Sequence, residues 1–450
     1  MSNGISKTDL NLIPAGYKQT EVGVIPEDWE CSNLDYICST IGDGIHSTPT
    51  YNNNGEYFFI NGNNLIDGKI TTFNETKKTD FVEFYKHKKN LNERTILLSI
   101  NGTIGNIAFY RDEQIVLGKS VAYLNIKSTI DKYYIYYCLC SEKTLQTFYD
   151  GLTGSTIKNL GLGTIRTTNI PLPPKKEQTA IANALSDVDA LISELKNLIS
   201  KKQAIKTATM QQLLTGRTRL PQFALREDGS KKGTKQSELG EIPEDWEVKS
   251  FHQLATVKSG GTPSTHNKDF WDGKINWCTP TDITALVGRK YLSTTTRKIT
   301  EIGVAKSAAE LLPIGTVVMT SRATIGECAI TTSEITTNQG FKNFICGSEL
   351  DNEFLYYLLS NVKERLICLC SGSTFLEIST TQVKNFSVIT TEKKEQTAIA
   401  TILSDMDEEI QVLEQRLNKT RKIKQGMMQE LLTGKTRLVQ PSPTDICHVD

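Results

Sequence analysis

Apolar residues recur every three or four positions in two long segments of the chain. The spacings alternate between four and three residues, as in a heptad repeat that buries one face of a helix. The pattern predicts two long helices, the first over about residues 175–215 with a length of roughly 60 Å. The seam positions are Ile181, Leu185, Val188, Ile192, Leu195 and Ile199 in the first segment, and Ile399, Leu403, Met406, Ile410, Leu413 and Leu417 in the second.

Two such helices in one chain bury each other's apolar faces most simply as an intramolecular coiled coil. Antiparallel pairing is favoured, because a whole globular region returns the chain before the second helix starts. This arrangement would place the two variable regions at opposite ends of the helix pair. The alternative is that each helix packs against its own globular domain. Polar residues interrupt the later part of each seam, namely Lys202 and Lys206 in the first and Thr420 and Lys424 in the second.

Three sequence blocks around these helices occur twice, while the regions between them have diverged. A period of this length is far from the roughly 20–50 residues of solenoid repeats, so it indicates a duplicated domain pair. The blocks are Ile-Pro-Glu-Asp-Trp at 25–29 and 242–246, Lys-Lys-Glu-Gln-Thr-Ala-Ile-Ala at 175–182 and 393–400, and Leu-Leu-Thr-Gly-Arg/Lys-Thr-Arg-Leu at 213–220 and 431–438.

The diverged regions predict an α/β (α+β) fold. β-rich runs at 57–60, 95–100 and 315–319 lie between Gly and Asn turns, and a helix-like stretch closes each region at 133–147 and 352–369. The predicted organisation is an N-terminal extension (1–21), a first variable domain (22–173), a first spacer helix (174–220), a polar linker (221–238), a second variable domain (239–391), a second spacer helix (392–438) and a disordered tail (439–450).

Composition narrows the class of protein. The formal net charge is zero, which argues against a simple nucleic-acid binder, since such domains are usually basic. No apolar run approaches the ~18 residues of a membrane span. The ten cysteines are scattered, which is typical of reduced thiols in a cytoplasmic protein.

Short polar loops recur at one register inside the diverged regions. Their Asn and Gln side chains suit adenine, and their Lys and Arg side chains suit guanine or phosphate. The alternative for each residue is an ordinary turn whose side chain bonds its own backbone. The candidate DNA-contacting residues are His46, Ser47, Thr48, Asn61, Asn63, Asn64, Asn101, Thr103, Lys119, Ser155, Thr156 and Lys158 in the first variable domain, and Thr262, Ser264, His266, Thr279, Thr281, Arg322, Thr324, Asn338, Gln339, Lys342, Ser373 and Thr374 in the second.

The sequence carries none of the common catalytic or metal-binding motifs. The sequence contains no phosphate loop, dinucleotide-binding fingerprint, zinc-protease motif or nucleophile elbow. None of the five histidines lies at metal-ligand spacing from another. We therefore predict neither a catalytic site nor a metal site in this chain.

Taken together and in order, the duplicated blocks resemble the specificity subunit of type I restriction-modification enzymes. The loops at 260–264, 323–326 and 337–341 are similar to that family's target recognition domains, and the resemblance covers about residues 20–438. It implies that each variable domain reads one half of a split, asymmetric site in double-stranded DNA. One departure is that residues 22–173 hold fourteen Lys and Arg against sixteen Asp and Glu, where family members often carry a basic loop.

The resemblance also implies the partners. The paired helices would dock two methylation subunits, and restriction and translocation subunits would join that core. S-adenosylmethionine, ATP and Mg²⁺ would then be bound by the partner subunits, and this chain would bind no cofactor. Two other classes stay open. A scaffold with two protein-binding heads would show no DNA sequence preference, and a self-sufficient methyltransferase or nuclease would be active alone.

We expect the helix pair to act as a ruler between the two DNA-reading heads. Two heads on one face of DNA sit about one helical turn apart, ~34 Å or ~10 base pairs. Inserting four residues into the first helix adds roughly 6 Å, so the unread spacer should lengthen by about one or two base pairs. Sequencing of modified adenines measures the spacer, and an unchanged spacer would contradict the hypothesis.

Overall fold

The computed structural model describes residues 13–154, 156, 158–322, 324–370 and 376–439. The chain divides into two compact units. Each unit contains one variable region and a part of both long helices. The first unit comprises Met1–Lys196 with Arg416–Asp450, and the second comprises Asn197–Gln415.

Among the described residues, the first half of the chain forms fifteen strands and six α-helices. The strands are β1 (Tyr17–Thr20), β2 (Gly23–Pro26), β3 (Glu30–Asn33), β4 (Cys38–Asp43), β5 (Tyr57–Ile60), β6 (Leu65–Ile66), β7 (Lys69–Ile70), β8 (Lys78–Thr79), β9 (Thr95–Ser99), β10 (Ile107–Phe109), β11 (Ile115–Leu117), β12 (Val121–Ile126), β13 (Leu152–Thr153), β14 (Asn159–Leu160) and β15 (Asn169–Leu172). The helices are α1 (Leu34–Ile37), α2 (Phe81–His87), α3 (Lys132–Leu139), α4 (Glu142–Asp150), α5 (Leu162–Thr167) and α6 (Lys175–Leu213).

The second half repeats this plan with fewer strands. Its strands are β16 (Thr234–Ser237), β17 (Gly240–Pro243), β18 (Glu247–Ser250), β19 (Ala255–Ser259), β20 (Trp271–Cys278), β21 (Tyr291–Leu292), β22 (Arg297–Ile299), β23 (Val317–Thr320), β24 (Cys328–Thr331), β25 (Ile335–Thr337), β26 (Phe341–Cys346) and β27 (Ser387–Thr390). Its helices are α7 (Phe251–Leu254), α8 (Pro280–Thr284), α9 (Glu301–Ala305), α10 (Asn352–Asn361), α11 (Lys363–Cys368), α12 (Thr380–Lys384) and α13 (Lys393–Leu431).

Each variable region contains one larger sheet and one three-stranded sheet. In the first unit the larger sheet has the order β10-β9-β12-β4 and is antiparallel, while β11-β5-β8 pairs β11 with β5 in parallel. In the second unit the orders are β19-β26-β23-β24-β21 and β22-β20-β25, with β20 parallel to β25. The mixed α/β fold class predicted from the sequence is confirmed.

Within each unit, the parts of α6 and α13 lie antiparallel. The residue numbers of ion-paired groups on or next to the two helices run in opposite directions, as antiparallel packing requires. These pairs are Glu177–Arg437 and Asp189–Lys424 in the first unit, and Lys202–Glu409, Lys206–Asp407 and Arg219–Glu395 in the second. The predicted antiparallel pairing of two long helices is therefore confirmed.

The start of each seam follows the alternative in which a helix packs against its own globular domain. The first seam residues of each helix, among them Ile181 and Ile399, belong to the main apolar core of their own unit. Eight seam residues are buried, namely Ile181, Leu185, Leu195, Ile199, Ile399, Leu403, Ile410 and Leu417, and four are half-buried, namely Val188, Ile192, Met406 and Leu413.

The lysines that interrupt the seams are neutralised by the facing helix. In the first unit, Nζ of Lys424 lies 2.6 Å from a carboxylate oxygen of Asp189. The hydroxyl of Tyr137, on α3, donates to the other oxygen of Asp189 at 2.9 Å. The variable region is thus tied to both helices at one carboxylate. The equivalent residues in the second unit are Lys206, Asp407 and Tyr357.

The duplicated blocks meet in a buried cluster, which we term the tryptophan–arginine cluster. In the first unit the indole N–H of Trp29 donates to Glu177 at 3.1 Å, and Arg437 donates to both oxygens of Glu177 at 2.8 and 2.7 Å. Arg437 also donates to both oxygens of Asp28. The arginine comes from the second repeat and its partners from the first. The equivalent cluster in the second unit consists of Trp246, Glu395, Asp245 and Arg219.

The rest of the Lys-Glu-Gln-Thr block fastens the start of α6 to α3. Gln178 accepts a hydrogen bond from the backbone N–H of Asp131 at 2.8 Å and donates to the carbonyl of Pro173. Thr179 donates to the Asp131 carboxylate at 2.9 Å, while the same carboxylate caps the N-terminus of α3. Glu177, Gln178 and Thr179 therefore each have a packing role. The equivalents in the second unit are Gln396, Thr397 and Asp351.

Two sequence predictions need correction. Each helix-like stretch is two helices, because Ser141 caps a new helix at α4 and the chain also leaves helical geometry at Val362, between α10 and α11. The segments predicted as an N-terminal extension and a linker contain β1 and β16, which form hairpins with β2 and β17. A three-residue 3₁₀ helix also lies in that linker at Pro221–Phe223. The predicted disorder of the tail concerns residues that lie, from 440 onward, outside the described part.

No helix within the described residues has the length and apolar character needed to cross a membrane. The nine cysteines in the described part of the chain are free thiols. Burial raises the pKa of several of them, for example that of Cys138 to about 12. The thiols whose pKa is raised by burial, such as that of Cys138, are protonated at neutral pH.

Candidate DNA interface

The polar loops of the first unit meet at one edge of its sheets. In the four-stranded sheet β12 runs antiparallel to β4 and β9, so β12 begins where β4 and β9 end. The side chain of Ser120, just before β12, donates to Asn61 at 3.0 Å and accepts from the backbone N–H of Gly62 at 2.9 Å. A backbone bridge from Asn101 to Asn159 adds the loop between β13 and β14. Five separate loops are thereby brought together.

Most candidate residues of the first unit are exposed at this edge. Asn61 and Asn101 are half-buried, and Asn64 is buried. Ser155 lies outside the described residues. The exposed candidates are His46, Ser47, Thr48, Asn63, Thr103, Lys119, Thr156 and Lys158.

The second unit builds the same edge. There β26 begins where β19 and β23 end, and β20 and β25 end side by side. Thr279 and Asn338 are half-buried, while Ser373 and Thr374 lie outside the described residues. Thr262 donates to Gln339, which joins the loop after β19 to the turn before β26. The exposed candidates are Thr262, Ser264, His266, Thr281, Arg322, Thr324 and Gln339.

Lys342, predicted from the sequence to be an accessible cation, is buried. Its side chain is 3% exposed, and its ammonium group lies 3.3 Å from the hydroxyl of Ser321. Side chains alternate along a strand, and Lys342 shares a face of β26 with Phe344, a residue of the main apolar core. Burial lowers the pKa of Lys342. A direct contact with DNA would need this side chain to leave its site.

The repeated Thr-Ile-Gly loops have a backbone reason for their glycine. Gly105 and Gly326 have φ angles of +89° and +86°, a region that other residues rarely adopt. Their N–H groups donate back to Ser99 and Thr320 at 3.0 Å. The turn alternative therefore explains the glycines, whereas the threonines of the two loops stay exposed.

The loops after β5 and β20 share a frame but differ in side chains. In each, a capping box closes a short helix, with Asn61 and Asn64 in the first unit and Thr279 and Asp282 in the second. Asn64 also donates to the carbonyl of Thr71 at 2.9 Å. The buried residue of each box is thus matched to its own partners and is not available to a ligand.

The role of these buried side-chain hydrogen bonds can be tested at Asp282. Its carboxylate accepts four hydrogen bonds, from the N–H and hydroxyl groups of Thr279 and Thr296, at 2.7 to 2.8 Å. Burial alone would raise the pKa of Asp282, but these hydrogen bonds hold it below the ordinary value of 3.8. The stabilisation is therefore fully present above about pH 3.8 and is lost as the pH falls through the lower folded value.

We expect Asp282→Asn to destabilise the second unit by roughly 1–3 kcal/mol, because an amide N–H₂ would face donors. Urea unfolding at pH 7 measures the loss. The stability difference between variant and parent should shrink as the pH approaches 3, and a difference that does not depend on pH would contradict this account. Asn64→Asp is the matched control, since it places a carboxylate against the Thr71 carbonyl and should act on the first unit.

Some residues at the second edge escaped the sequence analysis. The guanidinium of Arg297 lies 3.8 Å from the ring centre of Trp271, whose indole N–H donates to the carbonyl of Ser264 at 3.0 Å. This stack holds the loop after β19. Glu377 forms an ion pair with Arg322 at 2.9 Å. No spacing rule connects these residues, because their pairing depends on how distant strands meet.

Comparison with known proteins supplies the family. The family model described as the type I restriction modification DNA specificity domain matches residues 26–207 and 243–421. Over 179 residues the chain is 40% identical to the type I restriction enzyme MjaIX specificity subunit of Methanocaldococcus jannaschii, covering 39% of this chain and 41% of the relative. It is 27% identical over 443 residues to the putative MjaX specificity subunit of the same organism, covering 94% and 97%.

Solved structures show the same fold. The crystal structure of a type I restriction-modification S subunit from M. genitalium matches with a TM-score of 0.53 at 18% identity, covering 90% of this chain and 96% of that chain. A structure from work on complex assembly and conformational transition of the type I R-M system matches with a TM-score of 0.55 at 14% identity, covering 92% and 99%. Because the family model matches twice and spans most of the sequence, the chain belongs to the type I restriction-modification specificity subunits.

Proposed function

We propose that the chain is a non-catalytic subunit and that each of its two recognition domains reads one half of a split, asymmetric DNA site. The observation that carries this is the repeated loop frame with different side chains at equivalent places. The first residue after the parallel strand is Asn61 in one unit and Thr279 in the other. The second residue before β12 is Lys119, and the second residue before β26 is Gln339. The loop backbones of the two domains are equivalent, but their hydrogen-bonding side chains differ. We therefore expect the two domains to read different half-sites.

Partner subunits would supply the chemistry. We infer that two methylation subunits dock on the paired helices, and that restriction and translocation subunits complete the complex. The names of the relatives describe them as specificity subunits of type I restriction enzymes, which supports this division of labour. S-adenosylmethionine, ATP and Mg²⁺ would be held by those partners. Zero net charge fits a subunit that shares phosphate binding with others.

The test is to express the chain with the methylation subunit encoded beside it and to sequence the host DNA for modified adenines. The expected result is one split motif with a fixed spacer. Methylation by this chain alone would contradict the non-catalytic assignment. Absence of modification by an assembled complex supplied with cofactor would move the assignment to a two-headed protein-binding scaffold.

A further inference from the structure

Arg322 lies at the candidate DNA edge of the second unit and forms an ion pair on one side of its guanidinium group. Its Nε atom lies 2.9 Å from a carboxylate oxygen of Glu377, and the backbones of the two residues form an antiparallel bridge. The side chains of Arg322 and Glu377 are 46% and 40% exposed. Within the described residues, the two Nη atoms of Arg322 form no hydrogen bond. The free edge of the guanidinium is therefore the edge that faces away from Glu377.

A second cation lies beneath this pair. Lys342 is 3% exposed, and its ammonium group contacts the hydroxyl of Ser321, the residue before Arg322. The carbonyl of Ser321 also accepts from the N–H of Ile378, which fastens the segment that carries Glu377. The negative charge of Glu377 also acts on the ammonium group of Lys342. The positive charge that remains is presented at the surface by Arg322.

The stem of Arg322 lies beside Gly340, and Gly340 in turn lies beside Pro280 of a third loop. A Cβ added to Gly340 would lie 3.9 Å from Cδ of Arg322 and 3.8 Å from Cγ of Pro280. Gly340 belongs to the turn that carries Asn338 and Gln339, and Pro280 precedes Thr281. The guanidinium accordingly projects from the place where three loops meet. An ordinary surface ion pair needs no such support, and it contributes little to stability.

We propose that Arg322, oriented by Glu377, reads a guanine in the half-site of the second recognition domain. Guanine presents two acceptors, O6 and N7, in the major groove, and the two Nη groups of arginine match them as a planar fork. The ion pair with Glu377 holds the guanidinium at Nε and leaves the Nη groups of the fork unused. Glu377 is then a positioning residue, and Lys342 supports the Arg322 segment through the hydroxyl of Ser321. This inference rests on the proposed function.

The test begins with the methylated motif of the parent complex. The half-site of the second domain is the one that changes when that domain is exchanged, and it must contain a G·C pair. In the assembled complex, Arg322→Ala should weaken binding to the parent site by about tenfold or more and relax the motif at one guanine. Arg289→Ala, at an exposed arginine outside these loops, should leave the motif unchanged.

A modified base separates base reading from phosphate contact. A duplex with 7-deazaguanine at that position lacks N7, so the parent complex should bind it several-fold more weakly than guanine. The Arg322→Ala complex should bind both duplexes equally. Glu377→Gln should reduce the discrimination between the two bases, and Glu377→Asp should restore part of it. A purely structural role for Glu377 would lower binding to both duplexes alike.

Three outcomes would overturn the inference while leaving the proposed function intact. They are a second half-site without any G·C pair, discrimination that survives Arg322→Ala, and a loss of affinity that is equal for guanine and 7-deazaguanine. Failure of the proposed function looks different, since no split motif would then be methylated by the parent complex. Thermal unfolding of each variant shows whether the second unit still folds.

Discussion

Replacing Arg437 with leucine is expected to destabilise the first unit by roughly 3–5 kcal/mol, because it strands a buried carboxylate. Glu177 is 1% exposed and accepts three hydrogen bonds, two of them from Arg437. Without the arginine, only the indole of Trp29 remains to compensate the charge. Leucine fills part of the volume but offers no donor.

Unfolding in urea, followed by tryptophan fluorescence, measures this effect. Two-state analysis is not assumed, since the chain has two units. Lys435→Leu is the matched control, because Lys435 is exposed two residues earlier and should change stability little. Arg437→Leu combined with Glu177→Leu should recover part of the loss by removing the stranded charge. If Arg437→Leu unfolded like the parent, the cluster would not hold the unit together.

Exchanging the second variable region for that of another specificity subunit is expected to change one half-site completely and leave the other unchanged. The best junctions for the exchange lie at the facing ends of two paired strands, β18 and β27. β18 ends where β27 begins, with Ser250 opposite Ser387, so residues 251–386 can be replaced while both strands stay. The exchange also preserves the tryptophan–arginine cluster of the second unit.

Sequencing of modified adenines gives the new motif. The reciprocal control replaces residues 34–168, between Asn33 and Asn169, which face each other in β3 and β15. It should alter the opposite half-site. A change in both half-sites from either exchange would mean that the two recognition domains do not read independently.

The sequence predicted elements that rest on local periodicity better than contacts between distant residues. The heptad spacing located α6 and α13 to within a few residues, since a buried stripe repeats along the helix itself. The break before α4 was missed because Ser141 acts as a cap only where the chain turns. The pattern of apolar residues continues through Ser141 without a break, so it predicts one helix there.

The candidate DNA interface shows the same difference between local patterns, which could be predicted, and contacts between distant residues, which could not. The sheets bring the recurring loops to one edge, while their contact with DNA stays a prediction. Exposure of single residues could not be derived, because the inward face of Lys342 depends on the register of β26 against β19 and β23. The partner of Glu177 was equally hidden, since Arg437 lies 260 residues away along the chain.

Arg437 closes the cluster of the first unit but belongs to the second repeat, and this has a consequence for biosynthesis. A nascent chain emerges N-terminus first, and its domains usually fold in that order. Here the second unit, Asn197–Gln415, has all its residues before the first unit does, because the first unit also needs Arg416 onward and its closing arginine at 437. The recognition domain that the ribosome makes first is therefore completed last. A premature stop just before codon 437 would damage the N-terminal recognition domain and spare the tryptophan–arginine cluster of the other.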